Sequence, residues 1–320
     1  MSKKNFWVKN SKIIDWKTKP CKPYVRKKNY YVTWFPGARL NIFENCITKH
    51  YRSESKNKIA IFFVNKKKKI KSYSYKQLYF FVNNFAKTLK KKINHSLNSK
   101  IVIHGSSSIE TTVAMFACVK LGIHFSVIFE DLAAEAIEKR VDLIKPNLFI
   151  TRFDKRVFNK QILSKIKKKT KFKLFFINDK TLNSSKTKNL INDQIVKSDR
   201  DLFTLFTSGS TGVPKGIVHS SGGYLFATKY SCIKQFGMNK NSIILAASNA
   251  GWINGHSYAL FGPLSIGAST VLVEDPFLLL DEKVLKKVLK LKVTILYLPV
   301  TLISLMKSFF GNKKFQTKYL

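Results

Sequence analysis

Hydroxyls, glycines and a single lysine crowd into Thr204-Leu-Phe-Thr-Ser-Gly-Ser-Thr-Gly-Val-Pro-Lys-Gly-Ile-Val-His219, a composition suited to wrapping an anion. Glycines at 209, 212 and 216 permit sharp turns that aim backbone N–H groups inward, and Ser208, Ser210 and Thr211 add hydroxyl donors. Pro214 stiffens the loop and Lys215 supplies a point charge. The chemistry these residues suit is the cradling of a polyphosphate. A Walker loop is excluded, because it needs Gly, four residues and then Gly-Lys-Ser/Thr opening a helix. Here Lys215 follows Val213-Pro214 and precedes Gly216. A plain Ser/Gly hairpin is the competing reading, since the same residues dominate turns. Hairpin loops are usually much shorter than this one.

The loop needs strands to hold it. Leu202 to Phe206 and Gly216 to Val218 read as buried strands on either side of residues 208 to 215. From residue 59 onward, strand-like apolar runs alternate with helical patterns, which predicts an α/β fold of mostly parallel sheets flanked by helices. Strands are expected at Ile59 to Val64, Ile101 to His104, His124 to Phe129, Leu148 to Thr151, Phe172 to Ile177, Ile243 to Ala247, Thr270 to Val273 and Thr294 to Leu298. Ser74 to Lys90 reads as an amphipathic helix with Leu78, Phe81, Val82, Phe85 and Leu89 on its inner face. Further helices are expected at Glu110 to Leu121, Ala133 to Ile144, Gly223 to Phe236, His256 to Leu264 and from Pro299 onward. Residues 1 to 45 lack the alternation and are expected to wrap the surface, and Thr181 to Arg200 reads as a polar surface connection.

Thr207-Ser-Gly-Ser-Thr-Gly-Val-Pro-Lys-Gly216 closely resembles the nucleotide-binding signature of the adenylate-forming, AMP-binding enzymes. Trp34-Phe-Pro-Gly-Ala-Arg-Leu-Asn41 resembles the entry segment of acetyl-, propionyl- and acetoacetyl-CoA synthetases. Gly251-Trp-Ile-Asn-Gly-His-Ser-Tyr258, followed by Phe261-Gly-Pro-Leu264 and Gly267-Ala-Ser-Thr270, is similar to the acetyl/propionyl branch. The resemblance implies an entry segment over residues 1–45 and a partial AMP-binding domain over 46–320. The C-terminal part of that domain and the small lid domain that follows it in the family are expected to be absent. It also implies a reaction of a short carboxylic acid, ATP and coenzyme A, with Mg²⁺, giving acyl-CoA, AMP and pyrophosphate through an acyl-adenylate. Thr207, Ser208, Gly209, Ser210, Thr211, Gly212 and Lys215 would hold the triphosphate, with Lys215 as the catalytic charge. Trp252, Ile253 and Asn254 would line the acyl pocket, and no metal-ligating residue is assigned.

Three positions depart from the family pattern. Ile253 and Asn254 stand where the acetyl enzymes place Val and Thr, and Asn254 offers an amide to a keto or hydroxyl group. Packing in the core is the competing role for Trp252. Asn249 stands where Asp is common. Phe129-Glu130-Asp131 replaces a glycine pair near the coenzyme A adenine, and acidic side chains there are expected to repel a phosphorylated nucleotide. His219 and His256 read as structural hydrogen-bonders rather than proton carriers.

Composition bounds the alternatives. The formal net charge of +40 over 320 residues would suit a polyanion partner. Only 7 of the 58 basic residues are arginine, however, and the lysine runs are scattered without a nucleic-acid-binding motif. No nucleic-acid partner is expected. Cys21, Cys46, Cys118 and Cys232 have neither disulfide nor zinc spacing, and no apolar run is long enough to span a bilayer, so a reducing cytoplasm and no membrane association are expected. The whole reads as the N-terminal portion of an AMP-forming short-chain acyl-CoA synthetase, inactive alone. A separate chain supplying the C-terminal half, or a non-catalytic nucleotide- or polyanion-binding remnant, are the alternatives.

Overall fold

The computed structural model describes residues 3–26, 31–94, 96–152, 166, 170–183, 190–207 and 214–311. Two sheets organise them. The first has six strands in the order Lys215–Ser220, Asp201–Thr207, His124–Ile128, Lys100–His104, Leu148–Thr151 and Lys173–Phe176. The second has five, in the order Ile295–Tyr297, Ile243–Ala246, Ser269–Val273, Ile59–Val64 and Ile70–Ser74. All neighbours run parallel except one hairpin at an edge of each sheet, Asp201–Thr207 with Lys215–Ser220 and Ile59–Val64 with Ile70–Ser74. This is the expected mostly parallel α/β architecture, with crossover helices between parallel strands.

Local signals account for the helices. Tyr75–Lys92 opens on a reciprocal cap in which the Ser74 Oγ accepts from the Gln77 N–H and the Ser74 N–H donates to Gln77 Oε1. It closes on Lys90, Lys91 and Lys92, which face the negative end of the helix dipole. Leu78, Val82, Phe85 and Leu89 are buried as their spacing requires, while Phe81 is half-buried. Ile109–Lys120 is buried on nearly every side, as an apolar helix without a polar stripe must be. At its C-terminal end Lys120 pairs with Asp193 and lies 4.9 Å from the centre of the Phe43 ring. One core continuous through both helices takes Ile61 and Phe63 from the five-stranded sheet and Ile103, Phe125 and Phe203 from the six-stranded one.

The N-terminal segment is more deeply embedded than a surface wrapping. Phe35, Ala38, Leu40, Ile42 and Phe43 all lie in that same core. Arg39–Leu40 pairs antiparallel with Val196–Lys197, so part of the polar connection is a clamp on the entry segment. The Ser198 N–H donates to the Ala38 carbonyl at 2.8 Å, and Asn41 Nδ2 donates to the Gln194 carbonyl at 2.6 Å. Neither segment shows period-two alternation, because its strands, Tyr24–Arg26, Val32–Trp34 and Arg39–Leu40 in the one and Val196–Lys197 in the other, are only two or three residues long. Among the described helices none is long and apolar enough to cross a membrane.

Three buried imidazoles make stability pH-dependent. Burial pushes His104 and His124 down to about 4 and His256 down to about 3, from an ordinary value of 6.5. Their stabilising contribution is therefore complete above pH 6.5. It is lost as pH falls from 6.5 towards the folded values, because the unfolded chain takes up protons first. The urea midpoint should drop steadily between pH 6.5 and pH 4. A midpoint constant over that interval would show that these rings are not held neutral by the fold.

Candidate functional site

In open α/β sheets ligands collect outside the carboxyl ends of the parallel strands, and here the strand ends of the two sheets converge. Phe129-Glu130-Asp131 follows His124–Ile128, Arg152 follows Leu148–Thr151, Glu274 follows Ser269–Val273, and Lys66 follows Ile59–Val64. The Glu130 carboxylate, only 2% exposed, accepts from Lys66 Nζ at 2.5 Å and lies 3.5 Å from Arg152 Nε. Arg152 also bonds the buried Glu274 carboxylate, which accepts in turn from the Lys66 backbone N–H at 2.6 Å. Burial alone would lower the Lys66 ammonium, but Glu130 and its acidic neighbours raise it above its ordinary value. The Glu130 charge is thus matched within a four-residue network that ties the sheets together, while Asp131 beside it is exposed.

A cavity of about 540 Å³ opens beside this network, and Trp252, Ile253 and Asn254 line it together with Ser248 and Asn249. Their loop is shaped by close backbone approaches. A Cβ on Gly251 would sit 2.6 Å from the Phe129 ring, and one on Gly255 would sit 2.3 Å from the Asn249 carbonyl oxygen. Asn249 Oδ1 accepts from the Gly251 N–H at 3.2 Å, a role an amide oxygen fills without charge. The Trp252 N–H donates to the Asn249 carbonyl at 3.0 Å. Trp252 is 51% exposed, with its ring centre 5.7 Å from that of Phe129, so it forms a wall of the cavity and does not fill the core.

His256 supports the loop from below. Its Nδ1 lies 3.3 Å from the Trp252 carbonyl, which makes that nitrogen the proton donor. The ring stacks on Phe125 and leans on Phe203. Its depressed pKa keeps it neutral near pH 7, in line with a structural role. His219 sits between Phe203 and Tyr224, and burial lowers it as well.

Thr207 and Lys215 face each other in register at the open end of the six-stranded sheet's hairpin, both exposed. Ser208, Gly209, Ser210, Thr211 and Gly212 lie outside the described residues. Lys215–Ser220 is an edge strand with Ile217 48% and Val218 51% exposed, not the buried strand expected from its apolar residues. Thr207 ends the strand next to the one that leads into Phe129-Glu130. The hairpin therefore stands one strand away from Glu130 and Asp131, which line the cavity opposite the Trp252 loop of the other sheet. Arg152, Lys66 and Glu274 were invisible to sequence reasoning, because partners up to 208 residues apart leave no local pattern. Among the described residues there is no group of three or more His, Cys, Asp or Glu side chains that could hold a metal ion.

Comparison with known proteins matches this geometry to a family. Residues 49–319 match the AMP-binding enzyme model, and residues 2–46 match the acetyl-coenzyme A synthetase N-terminus model. The acetyl-coenzyme A synthetase of Leptospira biflexa is 31% identical over 300 residues, covering 84% of this chain and 45% of that protein. The 3-hydroxypropionyl-coenzyme A synthetase of Sulfurisphaera tokodaii is 28% identical over 296 residues, covering 84% and 44%. The solved acetoacetyl-CoA synthetase from Streptomyces lividans superposes with a TM-score of 0.81 over 95% of this chain and 50% of its own, at 18% identity, which is a likeness of fold. The chain spans about half the length of the relatives it matches. With that signature loop at the end of a parallel strand, and the family match running from residue 49 to 319, the chain belongs to the AMP-binding enzyme family.

Proposed function

We propose that this chain binds ATP and a carboxylic acid for AMP-forming acyl-CoA synthesis, with Thr207 to Lys215 receiving the phosphates and Trp252, Ile253 and Asn254 the acyl group. The observation that carries the proposal is the strand His124–Ile128, which lies beside the Thr207-ending strand of the hairpin and leads into Phe129, whose ring packs against Trp252 of the cavity wall. The chemistry needs no protein nucleophile. The acid is ionised near neutral pH, so its own oxygen attacks the α-phosphorus and the bond to pyrophosphate breaks. Loop N–H groups, hydroxyls and Lys215 hold the charge that grows on the departing oxygens, an interaction strongest where fixed dipoles already point at it. The thiol of coenzyme A then attacks the acyl carbon and AMP leaves. Magnesium, in this reading, arrives with the ATP phosphates. The Glu130–Arg152 pairing offsets one of the two acidic charges expected to repel a phosphorylated thiol, and Asp131 keeps the other.

A non-hydrolysable acyl-adenylate mimic, an acylsulfamoyl adenosine, tests the reading without requiring turnover. The native chain should bind it at least tenfold more tightly than AMP, because acyl and nucleotide subsites are engaged together. Equal affinity for the mimic and for AMP would remove the acyl pocket from the proposal.

A further inference from the structure

A second cavity, of about 630 Å³, lies on the other side of Ile253, whose side chain lines both spaces. Its walls are aromatic: Trp7 and Trp34 from the N-terminal segment, Phe226 and Tyr230 from the helix Ser221–Lys234, and Tyr258 from the segment after the Trp252 loop. Trp7 and Trp34 meet edge-on at 5.6 Å, and Phe226 stacks on Tyr230 at 5.5 Å, so the rings brace one another. No lysine, arginine, aspartate or glutamate lines the space, although the chain carries a net charge of +40. Such a lining favours an uncharged, ring-bearing group over a phosphate. Rings arranged edge to face suit a further ring, whose own edge and face find complementary partners.

Position supplies the rest of the ligand. Val218 lines the cavity and lies three residues along the same strand from Lys215, which at the rise of a β-strand is about 10 Å. A ring lodged beside Val218 therefore needs a short apolar spacer before its carboxylate can reach the phosphate end of that strand. We infer that this cavity holds the ring of an arylalkanoic acid whose chain passes Ile253, the residue shared with the Trp252–Asn254 cavity, and which would be the acyl substrate of the proposed synthetase. The inference rests on the synthetase reading, and it separates this chain from relatives named for acetyl, 3-hydroxypropionyl and acetoacetyl groups, none of which carries a ring.

The test uses the native 320-residue chain and 4-phenylbutyrate, with acetate as comparison, followed by calorimetry and by the fluorescence of Trp7 and Trp34. Phenylbutyrate should bind at least tenfold more tightly than acetate and perturb the tryptophan emission. Ala227 is exposed on the helix Ser221–Lys234 and lines the cavity, so Ala227→Trp should fill it and weaken phenylbutyrate at least tenfold. Ala227→Leu should give a smaller loss in the same direction, and serves if the tryptophan variant fails to melt cooperatively. Equal binding of acetate and phenylbutyrate, or phenylbutyrate binding that neither variant weakens, would overturn the inference. ATP binding measured on the same native protein separates the two readings. A cavity that responds to Ala227 in a chain that does not bind ATP would end the synthetase role and leave the ring site standing.

Discussion

Lys215→Ala should weaken ATP binding by roughly ten- to a hundredfold, the range that follows from losing a hydrogen bond to a charged group worth about 1.5–3 kcal/mol. Lys215 is exposed and stands opposite Thr207 at the mouth of the loop, so truncating it removes charge without opening a hole in the core. The thermal midpoint should therefore stay where it is while the affinity falls. Arginine should restore only part of the binding, since a planar guanidinium fork does not present its charge as a compact ammonium does. Salt separates this site from the general basicity of the surface. Binding of a polyanion such as heparin to scattered lysines should decline steeply with salt, and equally in the native and Lys215→Ala proteins. ATP affinity that is unchanged by Lys215→Ala would sink the assignment of this loop and leave the chain as a polyanion binder.

The second large effect concerns the network between the sheets. Arg152→Met should destabilise the protein by about 3–5 kcal/mol, the usual cost of removing one member of a buried ionic group. The Glu130 and Glu274 side chains are 2% and 5% exposed, and the substitution strips a cation from both. Most of the loss is the desolvated charge left behind, not the worth of the original bonds. Adding Glu274→Gln to Arg152→Met should accordingly recover part of the stability, so that the two changes are less than additive. Urea midpoints of the native protein, both single variants and the double variant would measure this. Additive losses would mean that Arg152 and Glu274 are not coupled. A midpoint unaffected by Arg152→Met would mean that the network does not hold the strand ends together.

How much of this was legible beforehand follows from the range of the interactions. The helix Tyr75–Lys92 could be read in advance because its cap, its apolar spacing and its basic last turn all lie within the helix or one residue of it. Ile70–Ser74 was missed, since Ile-Lys-Ser-Tyr-Ser is an edge strand with one covered side and little apolar content. The exposure of Lys215–Ser220 was misread for the reverse reason. Ile217 and Val218 look like core residues, but nothing in their neighbourhood along the chain tells that the strand ends the sheet.

The sequence by itself determined the α/β class, the position of the main helices and the family signature of residues 207–216, all of which arise from contacts within a few residues or from a contiguous run. Tertiary structure alone decided that the parallel strands divide between two large sheets, that the entry segment contributes Phe35 and Phe43 to their shared core, and that Glu130 faces Lys66 and Arg152 instead of open solvent. It alone decided as well that Trp7 and Trp34 close an aromatic cavity against Phe226, Tyr230 and Tyr258. Those contacts join residues far apart in the chain, and they form only when burial of apolar surface brings distant strand ends and rings together, which no local pattern of residue types encodes.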